Sequence, residues 1–407
     1  MAVTLADVAA RAGVSAATVS RVLNGNYPVA RTTRSRVMRA VEELEYVVNG
    51  PASSLAAARS DLIGVLVNDI ADPFFGIMAS AIQNEISPVT GAGGGGAAGA
   101  AASGAGAGGA PGGGEGAPGQ KLAVVCNTGG VPERELTYLT LLQRQRAAAV
   151  VLTGGAIESP AHSAALAVRL RRLERAGARV VLCGRPPLPV PEPEGGAQGA
   201  ESAMTGPDRS RGADAEAGQP IAVTFDNRGG ARTLTEHLLS LGHRRLGYLA
   251  GPADRTTTRH RLEGHRAALA DAGLDATEAA GDRLILHGGY DRASGYDGAL
   301  ELLRRDPGVT AVLAANDTAA LGVCAALRDR GLRIPEDISV TGFDDLPFAA
   351  DAAPALTTVR IPLHDAGARA GRLALGLEAP PAGGIATIRS ELMVRASTAP
   401  PSRRTGG

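Results

Sequence analysis

The sequence predicts a small all-α head followed by two lobes of doubly wound α/β structure, and three observations carry that prediction. The first 48 residues pattern as three short helices sharing an apolar side. From Asp61 onward, short apolar runs alternate with helical stretches, as buried parallel strands joined by crossover helices do. Two such sets follow one another, and 407 residues are too many for one ordinary domain.

In the head, Thr4-Leu5-Ala6-Asp7 sets a hydroxyl cap three residues before a carboxylate, so a helix starts there, buries Val8, Ala9 and Ala12, and stops at Gly13. After the Gly13-Val14 turn, Ser15 caps a second helix through Leu23, with Val19, Val22 and Leu23 on its buried side. A third helix, about Arg31 to Leu44, closes the core with Val37, Val41 and Leu44. Two short helices joined by a glycine-containing turn form a helix-turn-helix, whose second helix fits a major groove roughly 12 Å wide. Residues 1–60 hold seven arginines against Asp7, Glu42, Glu43 and Glu45, a net of +3; because the whole chain balances 41 basic against 41 acidic residues, the remainder sums to −3. Spacing alone leaves a three-helix bundle without a ligand open. The concentration of positive charge at this end favours DNA.

In the first α/β set, Leu62 to Val67, Leu122 to Cys126, Ala149 to Leu152 and Arg179 to Leu182 read as buried strands. The second set is Ile221 to Val223, Arg245 to Ala250, Arg283 to Leu286, Ala311 to Ala314 and Ile338 to Thr341. Lobes of this kind bind ligands beyond the carboxyl ends of their strands. Two segments interrupt the pattern. Residues 87–120 are almost wholly Gly and Ala and hold 15 of the 55 glycines; no Gly-Lys-Ser/Thr ending supports phosphate binding, so this reads as a structureless insert. Residues 186–220, rich in Pro, Gly, Ala and acidic side chains, read as a second exposed insert.

Several classes are disfavoured. Cys126, Cys183 and Cys324 are odd in number and scattered, which fits neither a disulfide framework nor zinc and suits a reducing cytosol. His162, His237, His243, His260 and His265 lack metal-ligand spacing, no nucleophile elbow or His-Glu-x-x-His occurs, and no apolar stretch of about 20 residues is present to span a membrane. The expectation is a protein without enzymatic activity, metal, cofactor or membrane association.

Thr4-Leu5-Ala6-Asp7-Val8-Ala9, Ala12-Gly13-Val14-Ser15 and Thr18-Val19-Ser20-Arg21-Val22-Leu23-Asn24 together resemble the headpiece of the LacI/GalR family of bacterial transcription regulators. The resemblance continues through Thr224-Phe225-Asp226-Asn227, Leu241-Gly242-His243-Arg244-Arg245, Ala315-Asn316-Asp317, Gly342-Phe343-Asp344-Asp345 and Leu356-Thr357-Thr358-Val359, and lapses only at the two inserts. It implies a headpiece over 1–48, a hinge over 49–60, a periplasmic-binding-protein-like bilobed core over 61–399 and a tail over 400–407. The chain would cross between lobes near Arg185 to Ile221, near Arg360 and near Glu391. Lobe one would combine about 61–185 with 360–390, and lobe two about 220–359 with 391–399.

The resemblance implies that Ala16, Ala17 and Arg21 choose the operator sequence, while Ser15, Thr18, Ser20 and Asn24 suit phosphate contacts and capping. An arginine at this position grips guanine, with a phosphate contact as the alternative. Leu55, in the helix-prone stretch Asn49 to Arg59, matches the hinge leucine that wedges into a minor groove; packing within a linker is the other reading. For the effector, Phe74 in Asp72-Pro73-Phe74-Phe75 offers an apolar wall, Arg259 aligns with the family's ligand-binding arginine, Tyr290 falls where a stacking aromatic is common, and Asn316 and Asp344 follow strands. A salt bridge or cap is an equal reading for each alone, but together they supply the guanidinium, amide, carboxylate and aromatic face that a polyol needs. The implied partners are double-stranded operator DNA, a sugar or nucleoside-like effector and a second copy of the chain. The short tail has no leucine heptads, which points to a dimer rather than a tetramer. The implied role is that of a cytoplasmic, nucleoid-associated repressor.

Overall fold

The structure is a computed structural model and describes residues 3–24, 29–44, 60–87, 121–188, 220–274 and 282–402. The expectations for Leu55 and the hinge, and for nearly all of both inserts, lie outside these residues. The chain divides into two units, the head and the α/β core, described in turn.

The head contains helices α1 (Leu5–Ala12), α2 (Ala16–Asn24) and α3 (Arg31–Glu43). Thr4 and Asp7 form a reciprocal capping box: the Asp7 amide donates to the Thr4 hydroxyl at 3.4 Å, and the Thr4 amide donates to the Asp7 carboxylate at 2.8 Å. The Thr4 hydroxyl and amide hold the Asp7 carboxyl below its ordinary range. Gly13 ends α1 at φ +63°, a left-handed conformation that a Cβ would strain. Ser15 caps α2, accepting from the Thr18 amide at 3.2 Å. The core is Val8, Ala9, Ala12, Val19, Val22, Val37 and Ala40. Val41 and Leu44 only flank it, because α3 turns Ala40 rather than Val41 inward, and Leu23 of α2 flanks it as well.

The α/β core begins with β1 (Leu62–Val67), α4 (Pro73–Ile86), β2 (Leu122–Asn127), α5 (Pro132–Arg144), β3 (Ala149–Thr153), α6 (Pro160–Arg175), β4 (Arg179–Cys183) and β5 (Ile221–Phe225). The chain continues through α7 (Asn227–Ser240), β6 (Leu246–Ala250), α8 (Thr256–Asp271), β7 (Ile285–His287), α9 (Arg292–Arg305), β8 (Ala311–Ala314), α10 (Asp317–Asp329), β9 (Ser339–Thr341) and α11 (Pro347–Asp351). It then returns through β10 (Thr358–Arg360), α12 (Leu363–Leu375), β11 (Ile385–Ile388) and β12 (Glu391–Met393).

Lobe one is built on a six-stranded parallel sheet in the order β11-β5-β4-β3-β1-β2. The central strands are buried on both faces: Ile63, Val65 and Val67 point to one side, while Leu66, Val150 and Leu152 meet Leu139, Leu166 and Leu170 on the other. Each fully buried side chain of this size contributes about 1.5–3 kcal/mol. Lobe two has a four-stranded parallel sheet in the order β7-β6-β8-β9. Helix α12 packs on α4 so closely that a Cβ at Gly367 would sit 2.7 Å from the Met78 carbonyl.

One strand departs from expectation. Ile221 to Val223 was expected to open lobe two, yet β5 pairs with β4 and β11 in the sheet of lobe one. The chain therefore leaves lobe one after Phe225, at Asp226, and not within the preceding insert. A strand's own apolar pattern is the same in either sheet; its partners decide the lobe. Strand β7 also starts later than expected, at Ile285, because Asp282–Leu284 forms a 3-10 turn. The segments joining the lobes are held together: β10 and β12 pair antiparallel, the Asp226 amide donates to the Ile388 carbonyl at 3.0 Å, and the Ser390 hydroxyl donates to the Asp226 carbonyl at 3.2 Å.

Candidate functional site

On the head, α2 buries Val19 and Val22 and leaves Ser15, Ala16, Ala17 and Arg21 exposed on one side. Thr18 and Ser20 are half-buried, and the Thr18 hydroxyl lies 2.9 Å from that of Ser15, so these two hydroxyls serve the cap. Asn24 closes the helix, and its side chain lies outside the described residues. Beside the Ser15 cap, the exposed strip is two methyl groups and one guanidinium, groups of the kinds that complement a thymine methyl and the acceptor edge of a guanine.

Between the two lobes of the core is a cavity of about 530 Å³. Its walls are the loops after β1, β2 and β3 from lobe one and those after β6, β7, β8 and β9 from lobe two, the carboxyl ends where doubly wound sheets bind ligands. Phe74 and Phe75 stand edge to face with centroids 5.0 Å apart, and Phe74 meets Phe225 at 6.2 Å, which makes an apolar wall. Tyr290 lies on the facing wall with its hydroxyl 2.7 Å from that of Thr258. Asn316 caps α10 through the Ala319 amide at 2.8 Å and donates to the Tyr290 carbonyl at 3.1 Å, so it orders two wall loops at once.

The dominant charge is Arg261. It is 5% exposed, lies 3.6 Å over the Phe343 ring, and donates to Asn227 Oδ1 at 2.9 Å, the Ala315 carbonyl at 2.6 Å and Asp344 Oδ1 at 2.9 Å. Burial pushes the Asp344 carboxyl up to about 7; Arg261 offsets part of that and Asp72, across the cavity, adds to it. Asp72 caps α4 by accepting from the Phe74 amide at 3.0 Å, and burial raises its carboxyl too. A single guanidinium thus stands near carboxylates from both lobes.

The structure brings Phe74, Tyr290, Asn316 and Asp344 together on this cavity and leaves Arg259 off it. Arg259 is half-exposed and pairs with Glu158 at 2.5 Å and Glu263 at 2.7 Å. Two residues along a helix is a rotation of about 200°, so Arg259 and Arg261 cannot share a face. The missed signal is periodic: Thr258, Arg261, Leu262, His265, Ala268 and Leu269 form the buried stripe of α8, and Arg259 falls outside it. Asp72, Arg255 and Thr257 are further wall residues not singled out beforehand. Along the cavity's edge the lobes touch: the Glu158 amide donates to the Asp254 carbonyl at 2.7 Å, the Thr256 amide to the Ala156 carbonyl at 3.0 Å, and Arg255 to the Gly130 carbonyl at 2.8 Å.

Under the floor of lobe one, Arg185 donates to the Thr153 and Gly154 carbonyls and pairs with Glu135 at 3.0 Å, while His162 stands 3.2 Å from the same carboxylate. Burial alone would raise the Glu135 carboxyl; Arg185 and His162 overcome it and pull it down to about 2. No cluster of metal-ligating side chains occurs among the described residues, and no helix among them is long and apolar enough to cross a membrane.

Residues 4–49 match the family profile "Bacterial regulatory proteins, lacI family", and residues 235–398 match a periplasmic binding protein-like domain. The HTH-type transcriptional regulator DegA of Bacillus subtilis is 30% identical over 404 residues, 98% of this chain and 99% of DegA. The chain belongs to the LacI family. The HTH-type transcriptional regulator GalR of Escherichia coli is 31% identical to this LacI-family protein, covering 96% of it and 94% of GalR. A solved complex of the transcriptional regulator CelR with cellobiose is 29% identical over 97% of this chain and 99% of that one, with a TM-score of 0.59. This LacI-family protein is a DNA-binding transcriptional regulator and not an enzyme.

Proposed function

We propose that this regulator is a cytoplasmic repressor that binds a two-fold operator as a dimer and is controlled by a sugar held in the interlobe cavity. The headpiece would span about 1–48, the hinge 49–60 and the sensing core 61–399. Arg21, Ala16 and Ala17 read base edges, Ser15, Thr18, Ser20 and Asn24 serve phosphate contacts and the cap, and Leu55 wedges the minor groove. The observation that carries the effector reading is the cavity itself: Arg261 and Asp344 on one wall face Asp72 and the phenylalanines on the other, so charged donors and acceptors from both lobes stand beside an apolar surface, the combination that a neutral polyhydroxyl ligand satisfies. The cellobiose complex of CelR, at 29% identity, supports a sugar as the ligand class. In this reading Phe74, Tyr290, Asn316 and Asp344 line the effector site, and Arg261 rather than Arg259 supplies its guanidinium.

A sugar that bridges the walls changes the angle between lobes and shifts operator affinity by about 1–3 kcal/mol. The test is a thermal-shift screen of mono- and disaccharides and of nucleosides, followed by fluorescence anisotropy on promoter DNA with and without each hit. A sugar hit that moves the operator titration supports the reading. Hits confined to nucleosides, or a sugar shift that survives both Arg261→Ala and Asp344→Ala, would overturn it.

A further inference from the structure

Asp344 and Asp345 are adjacent in the chain and serve different parts of the molecule. The Asp344 carboxylate faces the cavity and takes Arg261 at 2.9 Å. The Asp345 carboxylate, 8% exposed, turns the other way and clamps two arginines of the segments that join the lobes: Arg360 Nε on Oδ2 at 2.7 Å and an Arg395 guanidinium nitrogen on Oδ1 at 2.6 Å. Arg360 ends β10, where the chain passes toward α12 of lobe one, and it also faces Glu391 of β12 at 3.6 Å. Arg395 follows β12 and donates to the Leu356 carbonyl at 2.8 Å, just ahead of β10. The backbone tightens the link, since the Asp344 amide donates to the Val359 carbonyl at 2.7 Å and Asp344 bridges to Arg360.

Both aspartates lie in the left-handed region, at φ +105° and +54°, a conformation that non-glycine residues hold only when their surroundings impose it. Partners on both sides impose it here. The two carboxylates are thus fixed on opposite sides of one short, doubly anchored segment.

We propose that Asp345 is a positioning residue that couples the contents of the cavity to the strands joining the lobes. A ligand that engages Arg261 and Asp344 would move the dipeptide, and Asp345 would carry that movement to Arg360 and Arg395. The inference rests on the reading that cavity occupancy controls operator binding, and the test separates the two.

The experiment uses the full chain and needs no effector, because Asp344→Asn perturbs the cavity end directly. Operator dissociation constants are measured for wild type, Asp344→Asn, Asp345→Asn and the double variant on a duplex that the wild type selects from a random-sequence pool. In parallel, interlobe distances are measured by electron-electron resonance between spin labels on Val168→Cys in α6 and Arg330→Cys after α10, in a Cys324→Ser background. Asp344→Asn is expected to change the operator constant by at least about fivefold, the low end of allosteric couplings, and to shift the interlobe distance. In the Asp345→Asn background the same change should fall below about twofold, with no distance shift, and Asp345→Glu should restore a larger ratio. A merely structural Asp345 would lower affinity equally with aspartate or asparagine at 344 and leave the ratio intact, which overturns the proposal. An Asp344→Asn variant that leaves the interlobe distance unmoved overturns it as well. A distance shift that depends on Asp345 while operator binding stays constant upholds the coupling and sinks the reading of cavity control over DNA.

Discussion

Replacing Arg261 by methionine keeps much of the side-chain length and removes a guanidinium that is 5% exposed and serves Asn227, the Ala315 carbonyl and Asp344. Each buried acceptor left without a donor costs about 1–3 kcal/mol, and removing one partner of a buried ion pair costs about 3–5 kcal/mol when the other must stay charged. Asp344 has an escape from the larger figure. Burial outweighs Arg261 and already pushes its carboxyl up to about 7, so near neutrality it takes a proton at little extra cost. A loss of about 2–4 kcal/mol at pH 7 follows, mostly from the two neutral acceptors. The pH dependence is more diagnostic. The folded-state carboxyl titrates above its unfolded value of about 4, so the folded state holds the extra proton between those two points; wild-type stability falls as pH rises through that window and levels off above about 7. Without Arg261 the folded value moves higher, and the fall continues above 7 at up to about 1.4 kcal/mol per pH unit. Urea unfolding followed by circular dichroism at pH 6 and pH 8.5 should therefore show a larger deficit for Arg261→Met at the higher pH. An equal deficit at both, or a larger one at pH 6, would refute an ionised Asp344 held by Arg261.

Arg21→Ala should weaken binding to a selected operator by about 1–3 kcal/mol and relax its sequence preference, read by fluorescence anisotropy at fixed salt; a uniform loss across all sequences would assign Arg21 to phosphate instead. Arg259→Ala removes exposed ion pairs worth less than about 1 kcal/mol and should leave the calorimetric affinity for a sugar hit within about threefold, whereas Arg261→Ala should abolish that binding. Glu135→Gln should cost about 3 kcal/mol in urea at pH 7 by leaving Arg185 buried beside a neutral partner. Because the Glu135 carboxyl is held down at about 2 in the folded state, that stabilisation is present above the unfolded value near about 4.3 and disappears as pH falls toward 2, so variant and wild type should converge in acid unfolding.

What the sequence determined by itself is whatever rests on near neighbours. The Thr4–Asp7 capping box, the Gly13 stop, the Ser15 cap and the unbroken apolar runs of β1, β3 and β4 involve residues a few positions apart, and their residue types announce them. The LacI-family head was legible for the same reason, as were Phe74, Asn316 and Asp344, which sit in or beside the loops that end strands. Tertiary structure decided the rest. Whether Ile221–Phe225 joins the first sheet or the second depends on backbone partners at Val181 and Ile385, far along the chain, and an apolar run pairs equally well with either sheet. The choice between Arg259 and Arg261 depends on which side of α8 meets Asn227, Ala315 and Asp344, three residues from three other segments. The clamp of Asp345 on Arg360 and Arg395 joins positions 15 and 50 residues apart. Short-range hydrogen bonding and periodicity are written in consecutive residues; sheet order, buried charge pairing and the cavity between lobes arise only when distant segments exclude water from the same space.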